Sequence, residues 1–123
     1  MDTAPNNEHG VDGELRSAQI EMRLCELEEA YRVLKTICAG DGEEIARQNL
    51  RGEGYVGGSS RGLGGINWAQ WKNRFHVDKM TIAGHSFGAA TVVEVLRHTE
   101  RFTNVQAGII YDIWGRVHLY LPR

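Results

Sequence analysis

The stretch "MTIAGHSFGAATVVEVL", residues 80–96, constrains the fold more than any other part of the chain. "HVDKMTIAG" reads as a strand entering the protein, with Met80, Ile82 and Ala83 apolar and Gly84 ending the run. Residues 87–98 read as a helix whose inward face carries Ala90, Val93 and Leu96, or the stem of Arg97. "NVQAGIIYD", residues 104–112, then reads as a second short strand, buried. Two strands joined through a helix cannot pair as a hairpin. The natural product is a parallel pair in an α/β sheet.

Between strand and helix stands Gly84-His85-Ser86-Phe87-Gly88, which fits G-x-S-x-G. That pattern has a physical basis. A serine on a tight strand-to-helix turn occupies a strained backbone conformation, with its hydroxyl pushed clear of the sheet, and its neighbours must be small. Gly84 and Gly88 meet that need, and Ala89 and Ala90 extend the small patch. The helix start also offers free amides to developing negative charge, and the amide of Phe87 is the expected oxyanion donor. The plainer reading is a glycine-rich turn with an ordinary serine. Asp112 ends the next strand, where a side chain would emerge on the same edge of the sheet as Ser86. It reads equally as the carboxylate that orients a catalytic base or as an aspartate closing a turn. The base itself is the weak point. Only His118 follows Asp112, and it would have to fold straight back, because six extended residues span about 20 Å. His85 reads as a packing or hydrogen-bonding neighbour, His76 and His98 as surface residues, and His9 as part of the tail.

The rest of the chain supplies the frame. Residues 1–13 read as a disordered lead-in and residues 14–123 as the domain. Ile20, Leu24, Leu27, Tyr31, Leu34 and Cys38 recur at steps of three and four and predict one helix over 14–39, with Asp12 or Ser17 as the cap and Gly40 as the stop. Its other face, with Glu21, Arg23, Glu28, Glu29, Arg32 and Lys35, reads as solvated. Cys25 and Cys38 would lie roughly 20 Å apart at about 1.5 Å per residue, too far to bridge. They read as reduced thiols of an intracellular, cytoplasmic protein. "GDGEEIARQNL" fits a short helix. The loop 51–65 is glycine-rich, and Gly52, Gly54 and Gly57 match G-x-G-x-x-G without the strand and helix start that a nucleotide site requires. Trp68, Trp71 and Phe75 fall at helical intervals and read as core rather than as a ligand platform.

The bulk composition excludes several classes. At 123 residues and a formal charge of −2, the chain is one small domain with no basic field for nucleic acid. No apolar run approaches the roughly 18 residues of a spanning helix. "MDTAPNNEHGVDG" lacks the basic start and apolar stretch of a leader. No Cys/His cluster has zinc spacing.

Taken together, "GHSFGAATVVEVLR" followed by "RFTNVQAGIIYDIW" resembles the platelet-activating-factor acetylhydrolases, the secreted/type II class of α/β-hydrolase fold, and especially their fungal relatives. The resemblance runs from about Glu14 to Trp114 and is most specific at the turn with Phe87 and at the Asp112-x-Trp114 pair. It implies a partial α/β-hydrolase fold and calcium-independent hydrolysis of the short sn-2 acyl ester of ether and oxidised phospholipids, with no cofactor or metal. It implies Ser86 as nucleophile, Asp112 as triad acid and the Phe87 amide as one oxyanion donor. The family's histidine lies much farther downstream, and its second oxyanion amide lies upstream near a His-Gly pair. Here the one such pair, His9-Gly10, sits in the tail. The expectation is therefore an internal fragment or truncated chain, inactive alone, with open sheet edges. Its substrate would be a phospholipid or short-chain ester. Contact with a lipid surface and the oligomeric state are left open. The alternatives are a noncatalytic remnant that binds through the 20-24-27-31-34-38 stripe, and an α/β-hydrolase for another carboxylic ester.

Overall fold

The computed structural model describes residues 12–49 and 65–113. Most of the lead-in, nearly all of the glycine-rich loop with Gly52, Gly54 and Gly57, and His9, Trp114 and His118 lie outside the described residues. Five elements follow in order: α1 (Gly13–Ala39), α2 (Gly42–Gln48), β1 (Met80–Ser86), α3 (Phe87–Arg97) and β2 (Val105–Ile113). A 3-10 turn, Trp68–Trp71, precedes β1. The chain divides into two units, one of Met1–Glu28 with Asp78–Arg123, the other of Glu29–Val77. Among the described residues no helix is long and apolar enough to cross a membrane.

Both ends of α1 have a local cause. At the start, Asp12 Oδ1 accepts the Leu15 amide at 2.9 Å, satisfying one of the helix's orphan donors. At the end, Gly40 takes φ +104°, and the amides of Gly40 and Asp41 return to the carbonyls of Ile37 and Thr36 at 3.0 and 3.1 Å. That is the paired closure of a Schellman stop, which a residue with a Cβ reaches only under strain.

In the first unit, β1 and β2 pair in parallel and α3 crosses between them. Leu24, Val95 and Phe102 form the buried cluster, with Ile20, Leu27, Ile82 and Val105 packed against it. The inward face of α3 differs from the sequence expectation. Ala90 is buried, but Val93 is half-buried and Leu96 is exposed, while Ala89, Thr91, Val92 and Val95 are buried. Val92, Val93, Val95 and Leu96 are all apolar, so periodicity alone did not fix the rotation of the helix. The close approach at Gly108 fixes it: a Cβ there would lie 2.7 Å from both Leu96 and Val92.

β2 is not the buried strand that its composition suggests. Gly108 faces α3 and Ile82 faces the core cluster, so one side of the sheet is covered by helices. The other side presents Thr81, Ala83 and His85 of β1 with Ala107, Ile109 and Tyr111 of β2, every one exposed. The sequence is apolar on both faces of β2, as in parallel strands covered on both sides. The described residues cover one side.

The charged face of α1 also departs from expectation. Arg23–Glu26 and Arg32–Glu29 are exposed pairs within the helix. Glu28 and Glu21, however, are engaged by Arg101 from the segment between α3 and β2. The guanidinium donates to both Glu28 oxygens at 2.7 Å, lies 2.9 Å from Glu21 and reaches Cys25 Sγ at 3.4 Å. These hydrogen bonds hold the Glu28 carboxyl below its ordinary value and raise that of Arg101. Cys25 and Cys38 are both free thiols.

The second unit is smaller. Cys38 Sγ donates to the Phe75 carbonyl at 3.1 Å, and the Asn73 amide donates to the Cys38 carbonyl at 2.9 Å. Trp68 lies on Gly42, where a Cβ would come 2.7 Å from indole Cδ2. Trp71 meets Phe75 edge-on at 6.5 Å but is 48% exposed. None of the three is buried, so the aromatic stripe is not core as expected: Trp68 and Phe75 are half-buried and Trp71 is exposed. Its tryptophans sit at the two ends of a short 3-10 turn that buries none of its residues.

Candidate active site

Ser86 is the last residue of β1 and the residue before α3. Its backbone takes φ 56°, ψ −118°, a conformation that L-residues with a Cβ rarely adopt. Gly84 shows why the turn closes. A Cβ there would collide with the Gly88 carbonyl and come 2.8 Å from the Ala89 amide. Gly88 behaves differently: a Cβ there meets nothing within 4 Å, so the expected steric demand falls on Gly84 alone. The Ser86 hydroxyl makes no capping hydrogen bond to α3, leaving the first amides of the helix, Phe87's among them, without a side-chain cap. Phe87 is further fixed from two sides. Its carbonyl accepts the Thr91 hydroxyl at 3.3 Å, and the Arg16 guanidinium of α1 lies 4.7 Å from its ring centroid. The sequence carried no sign of Arg16, which is remote along the chain.

Asp112 stands beside this turn, but out of register. Thr81 to His85 pair one-to-one with Ala107 to Tyr111, yet Ser86 pairs with Ile113. Asp112 is the extra residue, a bulge, with φ 41°. Aspartate tolerates this left-handed region better than most residues. Its carboxylate faces His85, with Asp112 Oδ2 4.0 Å from His85 Nε2. Both side chains are largely exposed, so this pair is worth little to stability. Of the two roles expected for His85, packing is not the one it takes: its side chain is exposed beside Asp112. Of the other imidazoles, His76 is exposed and His98 lies between Glu94 and Glu100, at 3.8 and 3.4 Å. Among the described residues no hydrogen bond joins Ser86 to a histidine. Nor do they contain a cluster of three His, Cys, Asp or Glu residues able to hold a metal ion. A pocket of about 500 Å³, lined by Asp41, Glu44, Arg47 and Trp68 among others, belongs to the other unit, and none of the candidate residues lines it.

The turn and its neighbours fall inside a family match. The family described as platelet-activating factor acetylhydrolase, isoform II, matches residues 4–116. The chain belongs to this family. A platelet-activating factor acetylhydrolase of Bos taurus is 44% identical over 45 residues, which are 37% of this chain and 10% of the bovine protein. The match therefore spans about a tenth of that acetylhydrolase's length. No solved structure matches the chain. At the level the comparisons carry, this is a platelet-activating factor acetylhydrolase-like chain with a short parallel sheet flanked by helices.

Proposed function

We propose that this chain carries the nucleophile turn of a serine esterase of α/β-hydrolase type, acting on the short sn-2 acyl ester of ether or oxidised phospholipids without calcium. The observation that carries the reading is the backbone of Ser86, held at φ 56° between an apolar strand and a helix start, within the family match. Ser86 Oγ attacks the ester carbonyl carbon. The Phe87 amide, at the positive end of α3, donates to the oxyanion that forms. One such donor is worth roughly 10² to 10³ in rate. Asp112 orients the base that takes the Ser86 proton and later gives it to the leaving alcohol. In support, the Asp112 carboxylate is largely exposed and lies 4.0 Å from an imidazole, that of His85.

No described imidazole is bonded to Ser86, so the proposal includes a negative. The 123-residue chain alone turns over a short-chain ester no faster than Ser86→Ala. Losing one triad member leaves roughly 10³ to 10⁴-fold catalysis over water only when oxyanion hole and binding site are intact. Adding a polypeptide that brings a histidine to Asp112 restores turnover and labelling by a fluorophosphonate, both lost in Ser86→Ala. Serine-dependent turnover by the chain alone would refute the negative. A completed enzyme unaffected by Ser86→Ala would refute the assignment. Profiling acyl chains and head groups on the completed enzyme distinguishes phospholipid from other carboxylic esters. The binding-module alternative loses much of its surface here, since Ile20, Leu24 and Leu27 of the proposed stripe pack into the core.

A further inference from the structure

A cation from a distant part of the chain stands against the nucleophile turn. The Arg16 guanidinium lies 4.7 Å from the centroid of the Phe87 ring, on the residue that follows Ser86. Arg16 belongs to the first turn of α1, where its amide donates to the Asp12 carbonyl at 3.0 Å. The helix that carries it is anchored: Ile20, Leu24 and Leu27 pack with Val95 and Phe102, and Arg101 holds Glu28 and Glu21 farther along. Lys79 and Arg97 stand elsewhere, at the far ends of the strand and the helix that Ser86 joins. A second observation falls beside Arg16. Gln19 buries its Oε1 with no hydrogen-bond partner among the described residues. Residues three apart on a helix are neighbours, so the Arg16 and Gln19 side chains leave α1 side by side. A buried amide without a partner is costly, and a bound group that pairs with it removes the cost.

We propose that Arg16 and Gln19 recognise an anionic group carried by the ester that Ser86 attacks, a phosphodiester a few bonds from the scissile carbonyl. The proposal rests on the esterase reading of Ser86 and adds the part that selects a phospholipid over a neutral ester. Stacking on a ring uses the face of a guanidinium. Its five N–H donors point outward in the plane, so one arginine serves a ring and more than one acceptor at once. Two of those donors match two phosphate oxygens side by side. Gln19, after a half-turn about its last side-chain bond, offers the N–H donors of its amide to the same group. The spacing follows from one residue. The Phe87 ring carries the cation, and the Phe87 amide meets the oxyanion, so a single side chain sets the separation of the two charges. In a glycerophospholipid two carbons separate the sn-2 ester oxygen from the phosphate ester oxygen, a reach comparable to that side chain.

Equilibrium binding to the full 123-residue chain, read from its proton–nitrogen correlation spectrum, tests this. The probes are dibutyrylphosphatidylglycerol below its micelle concentration, tributyrin, which has the same acyl groups and no phosphate, and inorganic phosphate. The phosphatidylglycerol should bind at roughly 1 to 10 mM and move the Phe87 and Gly88 amides and the Arg16 Nε–H. Tributyrin and inorganic phosphate should bind roughly tenfold more weakly, each lacking one half of the ligand. Arg16→Met, which keeps an apolar stem against the ring, should weaken phosphatidylglycerol binding about tenfold, and Gln19→Leu about threefold. Arg16→Lys should recover part of the loss. Arg23→Met, on the same helix but exposed and paired with Glu26, should change nothing. Equal binding of tributyrin or of inorganic phosphate overturns the proposal, as does a chain that binds none of the three. So does unchanged affinity in Arg16→Met and Arg16→Gln variants of unaltered far-UV circular dichroism. The esterase reading fails on a different measurement, the turnover of Ser86→Ala, so the two failures are told apart.

Discussion

Ser86 and Gly84 place opposite demands on one turn. At φ 56°, ψ −118° the Ser86 Cβ is a source of strain, and that conformation is the mirror image of one that ordinary residues prefer. Ser86→Gly should therefore raise stability by about 1 kcal/mol relative to Ser86→Ala, which keeps the Cβ. Gly84→Ala should lower it by about 2 kcal/mol, because the added methyl meets backbone that cannot rotate away. Urea titration of the three variants against wild type measures both, and equal midpoints for the two Ser86 variants would show that the turn is unstrained. The serine was legible in the sequence because its glycine neighbours and its strand-helix setting are written there. The bulge at Asp112 was not, since an extra residue leaves no mark on an apolar strand until the partner strand's register is known. The openness at Gly88 was equally hidden, because the motif names a small residue without saying which neighbour demands it.

Among the elements, α1 is tied to the segment after α3 by Arg101. The Glu28 carboxyl is held below its ordinary 4.5 by the Arg101 hydrogen bonds. A lowered folded-state value means that the unfolded chain binds the proton more readily. The stabilisation is thus complete above about pH 4.5 and is lost as pH falls through the lowered value. Glu28→Gln should unfold earlier in urea at pH 7 and converge with wild type in acid. A constant gap across that range would rule out the linkage. The boundaries of α1 were readable from Asp12 and Gly40, because caps are local chemistry. The role of Glu28 was not, because a carboxylate awaiting a distant arginine looks the same as one facing water. The rotation of α3 was hidden for a related reason: four apolar residues over five positions permit more than one inward face.

Across the whole molecule, burial is uneven. Apart from Val77 and Gly42, every buried described residue belongs to the unit that holds β1, α3 and β2. Amide exchange should accordingly be slowest in β1, α3 and the first half of α1, and faster by orders of magnitude in α2 and the 3-10 turn. Equal protection in both units would contradict that distribution of stability. The class of architecture was legible from the order strand, turn, helix, strand. Its lopsided cover was not, since composition shows what a strand could bury and not what is present to bury it.

The residue inserted at position 112 has one more implication. A ladder of period two keeps time, and Asp112 is a beat that the neighbouring strand does not count. Excising it would let Ile113 follow Tyr111 with the pairing to Ser86 preserved, so that chain should still melt cooperatively near the parent's midpoint. Excising Ile110 instead would throw the strand's alternation out of step on both sides of the sheet and should abolish the transition. The architecture can spare the very aspartate that the chemistry would miss most.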